Sequence, residues 1–299
     1  MRILIVIPHY FRGMSDQAHN RSYQPSARQE RAQALIATVS SLHQTFGAHL
    51  YGLDHQHAAA WQVAPAVRHE MNVVICTTGG AHLLDEFNWL KPFYRHHATT
   101  VEPKLLGFEC HQLLRDAAGR YDYYGFVEDD IAITDPMFFR KRRLFDRLFG
   151  SQALLQPNRY ETRPDGPVQK LYVDYHLRPE ATASYQDISE TPRLHMPFVD
   201  ETIVFERTTY PSAGCFFLNA EQLEIWSKGP YFLDGDTSYL SALDSAVTLS
   251  VMKTFRIYKP ALDQAAFLEA QHLSPRWING VKVKLMPRRE PFSSHLGRE

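Results

Sequence analysis

The chain has 299 residues, 44% hydrophobic and 22% charged, with 32 Lys and Arg nearly balancing 33 Asp and Glu for a net charge of −1. This is the composition of a soluble globular protein, and without a basic excess it excludes a generic nucleic-acid binder. The length suits one large α/β domain or two smaller ones.

Residues 2–7, RILIVI, predict a buried first strand ending at Pro8, because a short β-branched run of this kind suits a strand covered on both faces. A polar loop follows. Apolar residues then recur at helical spacing from Arg28 to Phe46, and Gly47 closes that helix. Residues 71–77, MNVVICT, predict a second strand, broken by Thr78-Gly79-Gly80, and Lys104 to Ala118 a second helix stopped by Gly119. A third strand, Tyr123 to Val127, runs into Glu128, Asp129 and Asp130. Asp135-Pro136 predicts the start of a helix to about Phe149, whose basic residues Arg140, Lys141, Arg142, Arg143 and Arg147 read as a solvated face. Strand and helix alternate through this half, the pattern of parallel β-α-β units. Beyond it the signals are irregular: ALLQP, VQKLYVDYHL, ETIVFE, then GCFFLNAEQLEIW, LDSAVTLSVM and FRIYKP. No linker separates the halves, so one continuous domain is expected.

Cys76, Cys110 and Cys215 lie far apart without C-x-x-C spacing. Cys76 and Cys110 read as buried small hydrophobes, and so sparse a set points to a reducing compartment. No secretory leader is recognisable, and no run approaches the roughly 18 apolar residues of a membrane span. The expectation is a soluble, cytoplasmic protein. The basic tail VKVKLMPRRE, residues 281–290, allows at most weak peripheral contact with anionic lipid.

The acidic triplet is the most informative stretch. Three carboxylates at the end of a buried strand repel one another and are costly to desolvate. They are tolerable facing solvent, paired with Lys or Arg, or sharing a hard cation. Ligands of open α/β sheets sit at the carboxyl ends of the strands, and Mg²⁺ or Mn²⁺ takes oxygen ligands shared with substrate phosphates. An acidic turn closing a strand is the ordinary alternative. If the strand continues through the motif, Glu128 and Asp130 project to one side and Asp129 to the other.

VIPHYFR after the first strand, LLGFECHQLLRDAAGRYDYYGFVEDDI through the acids, AGCFFLNAEQLEIW, and FRIYKPA before a late histidine together resemble the GT-A class of glycosyltransferases over roughly residues 2–275. The resemblance implies a GT-A-like α/β fold. Residues 1–135 would form a Rossmann-like nucleotide-sugar-binding half with a mostly parallel sheet, and residues 136–299 an irregular acceptor-binding half. It implies transfer of a sugar from a nucleotide-diphosphate donor to a saccharide or other hydroxyl acceptor. The triplet would be the DXD motif, with Asp130 the Mn²⁺ or Mg²⁺ ligand, Glu128 on ribose or metal-bound water, and Asp129 a structural acid near the donor. His272 would complete the metal shell, with His195 its rival and a loop hydrogen bond the ordinary alternative for either.

Pro8, His9 and Tyr10 would meet the base, since imidazole and aromatic rings stack on base faces. Thr77, Thr78 and Gly79 offer hydroxyls and close backbone approach, and Lys104 a charge for the diphosphate; plain turn chemistry or a solvated lysine serves equally. An inverting transfer needs a carboxylate base. The resemblance points to Asp244 for it, although Leu243 stands where the class often has Glu, and Asp234 and Asp236 are further candidates. Their ordinary readings are a helix cap and a turn. Ala213-Gly214 would allow close approach to the sugar, and Trp226 would stack on it or pack in the core. A Mg²⁺-dependent nucleotidyltransferase or phosphoesterase, or a saccharide-binding relative without turnover, is the competing reading.

Overall fold

The computed structural model describes residues 1–18, 20–48, 50–63, 69–174 and 181–280. The tail at 281–290 lies outside them. In chain order the elements are β1 (Arg2–Pro8), α1 (Arg28–Phe46), β2 (Leu50–Asp54), β3 (Ala59–Val63), β4 (Glu70–Thr78), β5 (Arg95–Thr99), α2 (Leu106–Asp116), β6 (Tyr123–Val127), β7 (Ile131–Ala132) and α3 (Phe138–Phe149). There follow β8 (Ala153–Leu155), β9 (Asn158–Thr162), β10 (Lys170–Tyr172), β11 (Arg193–Phe198), β12 (Glu201–Arg207), β13 (Cys215–Asn219) and α4 (Ala220–Lys228). The last are α5 (Ala242–Asp244), a π-helical turn Ser245–Leu249, α6 (Ser250–Thr254), β14 (Arg256–Pro260), β15 (Glu269–His272) and α7 (Arg276–Gly280).

Strand β1 is apolar throughout because it lies at the centre of a five-stranded sheet ordered β13-β6-β1-β4-β5. Strands β6, β1, β4 and β5 run parallel, and β13 joins antiparallel beside β6. The alternation of a strand sends Ile3, Ile5 and Ile7 to one face, where they pack with Leu35, Val39, Leu42 and Phe46 of α1. Leu4 and Val6 go to the other, with Cys110 and Leu114 of α2 and Phe126 of β6. The fold is therefore mixed α/β with a mostly parallel central sheet, as expected from the alternating strands and helices. A sheet β10-β9-β15-β7 and a sheet β11-β12-β14-β8 form the second half. The halves interlock: β13 extends the first sheet, while β15 pairs with β7 directly after the acids.

Several local expectations are corrected. Strand β5 and the β2–β3 hairpin were not legible, the hairpin because its residues are half-exposed or exposed and carry no buried stripe. Helix α3 starts at Phe138, since Asp135 caps a turn by accepting from the Met137 N–H at 2.8 Å. Its basic face is not uniformly solvated. Arg142 is fully buried, donates to the carbonyls of Leu155 and Phe217, and lies against the Phe217 ring. Trp226 belongs to the core, fully buried with its Nε1–H donating to Ser250 Oγ at 3.0 Å. All three cysteines are free and buried. Among the described residues no helix is long and apolar enough to cross a membrane.

Gly125 sits in β6 opposite Ile5 on one side and Phe217 on the other. A Cβ there would lie 2.7 Å from Ile5 Cδ1 and 2.7 Å from Phe217 Cδ1. Gly125→Ala should overpack this seam at a cost of about 1–3 kcal/mol. The check is a thermal melt: an unchanged Tm would show that the seam has slack.

Candidate active site

Strand β6 ends at Val127, so the triplet is a turn rather than a strand, closed by Ile131 N–H donating to the Glu128 carbonyl at 3.2 Å. The strand on which the alternation argument depends has therefore ended, and Asp129 and Asp130 share one partner, Arg31. Asp129 is buried and turned toward α1: Arg31 Nη2 reaches Oδ1 at 2.6 Å and Oδ2 at 2.5 Å, and His9 Nδ1 lies 2.6 Å from Oδ2. The Leu83 N–H donates to His9 Nε2 at 3.1 Å, which leaves the ring proton on Nδ1 for Asp129. His9 is fully buried with both nitrogens occupied, so in this geometry it positions Asp129 rather than offering an edge to a base.

Asp130 shares Arg31 with Asp129 and reaches His272 as well. Its Oδ2 lies 3.5 Å from His272 Nε2 and 3.4 Å from Arg31 Nη1, and its carbonyl accepts from the Leu273 N–H at 2.8 Å. Pairing of β15 with β7 brings His272 here, opposite Ile131. Glu161 Oε1, on β9, lies 2.7 Å from His272 Nδ1. That contact fixes the ring and leaves Nε2 pointing at Asp130, the arrangement of a histidine oriented by a carboxylate behind it. Burial opposes the charge on both groups, but their mutual bond wins. It holds the Asp130 carboxyl well below the usual range, helped by the His272, Arg31 and Arg159 charges. The His272 imidazole, also bonded to Glu161, rises to about 9.

Glu128 is the odd member. It is 8% exposed, and among the described residues its carboxylate accepts no hydrogen bond. Burial, then the Asp130 and Asp244 charges, push it up to about 8. Gly214, at φ +63°, lets the backbone pass beside it: a Cβ there would stand 3.1 Å from Glu128 Oε2. Ile131 stands closer still, at 2.8 Å, so within the chain the close approach at Gly214 is made to Ile131 and Glu128.

Asp244 lies within the field of Glu128, Tyr210 and Tyr239. It is not the helix cap. Ser241 caps, accepting from the Asp244 N–H at 3.0 Å, and its hydroxyl donates to Asp244 Oδ2 at 2.6 Å. Asp234 and Asp236 stand apart: Lys253 Nζ sits 2.9 Å from Asp236 and 3.9 Å from Asp234, which makes them a lysine clamp on the loop before α5. Tyr10 packs on Tyr23, with ring centroids 5.5 Å apart, and Pro8 is buried at the end of β1. Thr77 Oγ1 lies 2.8 Å from His96 Nε2, and Thr78 donates to the Val101 carbonyl. Gly79 and Gly80, at φ +59° and +69°, have open space where a Cβ would stand. Lys104 is exposed and paired with Glu102 at 3.0 Å. His195 is exposed on β11, opposite Val204.

Cations the sequence reading passed over surround the acids. Arg31 is one. Arg159, on β9, is held by Asp174 at 2.9 Å and acts on Glu128, Asp130 and His272 through its charge. Arg276, at the start of α7, shares the neighbourhood of Asp130, Arg21 and Arg31. One signal could have revealed Arg31: Arg31, Leu35, Thr38 and Leu42 recur on the buried stripe of α1, and a guanidinium there needs a buried anion.

For a divalent cation, the residues present fit. Asp130 Oδ2 and His272 Nε2 lie 3.5 Å apart, so a cation would replace the proton between them, and Glu128 adds a carboxyl with no hydrogen-bond partner among the described residues. Among the described residues no three His, Cys, Asp or Glu groups are already gathered in a ligand set. One or two protein ligands with the rest from water and phosphate is the usual provision for Mg²⁺.

No protein-family model matches the chain, and no curated protein matches it in sequence. Among solved structures it is similar to S. aureus TarS, with TM-score 0.43 and 10% identity over 86% of this chain and 35% of that one. TarS 1-349 in complex with UDP-GlcNAc gives TM-score 0.39 and 12% identity over 86% and 55%. TarS 1-349 alone gives 0.40 and 8% over 86% and 57%. The chain thus spans between about a third and three-fifths of the length of these structures. At this distance a functional reading has to rest on the site.

Cation-free protein offers a test of the site's electrostatics. The folded state holds the Glu128 proton up to about pH 8, whereas the unfolded chain releases it near 4.5. Native protein therefore binds more protons between those values, and stability falls as pH rises through that window. Glu128→Gln removes the effect. In EDTA its stability should exceed that of the parent at pH 8 by an amount on the order of a few kcal/mol, read as a higher Tm, and converge with it near pH 4.5. A Tm difference that did not change with pH would contradict the assignment.

Proposed function

We propose that the chain is a glycosyltransferase of the GT-A type, which moves a sugar from a nucleotide-diphosphate donor to a hydroxyl acceptor with Mn²⁺ or Mg²⁺ bound. The observation that carries this reading is Glu128: a buried carboxyl with no hydrogen-bond partner among the described residues, beside Asp130 and a carboxylate-oriented His272, at the carboxyl end of a parallel strand and within the electrostatic reach of Asp244. Asp130 and His272 would hold the cation, with Glu128 on ribose or a bound water. A cation there supplies electrostatic stabilisation of the diphosphate as it leaves.

The chain's own groups supply the rest. Arg31 and Arg276 stand beside Asp130, where they would meet phosphate oxygens. The loops after β1 and β4, with Tyr10 and the open Gly79-Gly80 turn, would take the nucleoside. Asp244 would accept the proton of the acceptor hydroxyl as its oxygen attacks the anomeric carbon. The bond from that carbon to the β-phosphate oxygen breaks, and its electron pair stays on the diphosphate.

One observation favours a variant of this reading: Asp130 is already paired with both Arg31 and His272, so cations of the protein could hold the diphosphate unaided. A thermal-shift panel of UDP-, GDP- and dTDP-sugars, each with Mn²⁺ and with EDTA, tests both. UDP-GlcNAc, the ligand of the TarS 1-349 complex, is a natural first member. Specific donors should raise Tm by mass action. A rise with Mn²⁺ alone supports the metal-dependent transferase, an equal rise in EDTA supports the arginine variant, and no rise with any donor contradicts both.

A further inference from the structure

His111 takes no part in the chemistry above, yet it is a fully buried titratable side chain beneath it. It is fully buried in α2, and five aromatic rings surround it: Phe108, Phe126, Phe216, Trp226 and Phe232, with centroids 4.7–6.3 Å away. Its polar contact is specific. Nε2 lies 2.9 Å from the carbonyl oxygen of Ala246, so Nε2–H donates, and Nδ1 is buried without a hydrogen-bond partner among the described residues. Burial holds the ring neutral, lowering its pKa to about 3.

Ala246 belongs to the π-helical turn Ser245–Leu249, directly after Asp244. A π-turn inserts a residue into a helix and re-aims the side chains on either side of it, which is why such turns recur at functional sites. This one is held at several points. Ser245 Oγ accepts from the Tyr239 N–H at 3.1 Å, and its one hydroxyl proton is shared between the Ser241 carbonyl at 2.8 Å and the Tyr239 carbonyl at 3.1 Å. The Ala246 methyl presses on α2 at Gly107, where a Cβ would stand 2.3 Å from it, so only glycine lets the two helices approach so closely. His111, one turn further along α2, supplies the polar half of that contact. The same ring touches Phe126, in the strand that delivers Glu128. One side chain thus bears on the strand beneath the acids and on the turn behind Asp244.

We propose that His111 is a positioning residue: its hydrogen bond to Ala246 fixes the π-turn and thereby the direction in which Asp244 meets the acceptor. The inference rests on the reading of Asp244 as the base. The test compares His111→Phe, which fills the aromatic enclosure without a donor, with His111→Gln, which retains an N–H donor. The donor giving the largest shift in the panel, with Mn²⁺, is the probe; binding is read by calorimetry and turnover by nucleotide release.

His111→Phe should bind the donor as the parent does while kcat falls about 10–100-fold, the loss expected from a misplaced catalytic group. His111→Gln should recover part of it. In an Asp244→Asn background, His111→Phe should cause no further loss, because the two act as a unit. Unchanged kcat in His111→Phe, or equal loss in both substitutions, would overturn the proposal. If His111→Phe does not fold, His111→Met replaces it in the same comparison with Gln. An inactive Asp244→Asn beside a fully active His111→Phe sinks only the positioning role, whereas an active Asp244→Asn sinks the base reading beneath it.

Discussion

Asparagine in place of Asp244 is expected to lower kcat by about 10²–10⁴-fold, the usual contribution of a positioned general base, while Mn²⁺-dependent donor binding stays close to that of the parent. The substitution keeps the size of the side chain and its ability to accept from the Ser241 hydroxyl, so the local helix start should survive. What it removes is the carboxylate proposed to take the acceptor's proton. Asp234→Asn and Asp236→Asn serve as controls. They loosen the Lys253 clamp at the surface and should leave kcat close to the parent value. Equal losses at Asp236 and Asp244 would remove the reason to single out Asp244. Single-turnover nucleotide release, measured beside calorimetric donor affinity, separates these outcomes.

Asp130→Ala has a different expected signature. It removes the carboxylate on which His272 and Arg31 converge, so donor affinity in Mn²⁺ should fall by about 10–100-fold and turnover with it. Stability should also drop, because two buried cations lose a counter-charge and breaking one partner of a buried pair costs about 3–5 kcal/mol. Asp130→Asn, which keeps the shape and an acceptor oxygen, tells folding from function: it should melt closer to the parent yet still fail to bind donor tightly. Nucleotide release undiminished in Asp130→Ala would show that the triplet does not hold the diphosphate.

The sequence made the central sheet legible for a physical reason. Strands β1, β4 and β6 are buried on both faces, so they appear as unbroken apolar runs, and α1 and α2 carry the 3.6-residue stripe of helices packed on one side. Strand β5 was missed because Arg95, His96 and Thr99 lie at an edge and are half-exposed or exposed. The acids were visible because their position at a strand end is costly without a cation. Their partners were not. Glu161 and Arg159 come from β9 and His272 from β15, elements more than a hundred residues apart in the case of Glu161 and His272, and pairing of that range leaves no local pattern.

Arg142 shows the reverse error. A basic run on α3 looks like a solvated face, yet one member turns inward to satisfy the carbonyls of Leu155 and Phe217. His9, adjacent to the strand end, looked like a base contact and instead anchors Asp129. In each case the side chain was assigned from its neighbours in sequence, and its real partner lies across the fold.

Calorimetric titration of the panel's best donor into the intact chain, once with Mn²⁺ and once after EDTA, bears most directly on the proposed cation–diphosphate site at Glu128, Asp130 and His272. The account predicts saturable binding with Mn²⁺ that EDTA abolishes and added Mn²⁺ restores. Binding of equal affinity in EDTA, or none in either condition, would contradict it.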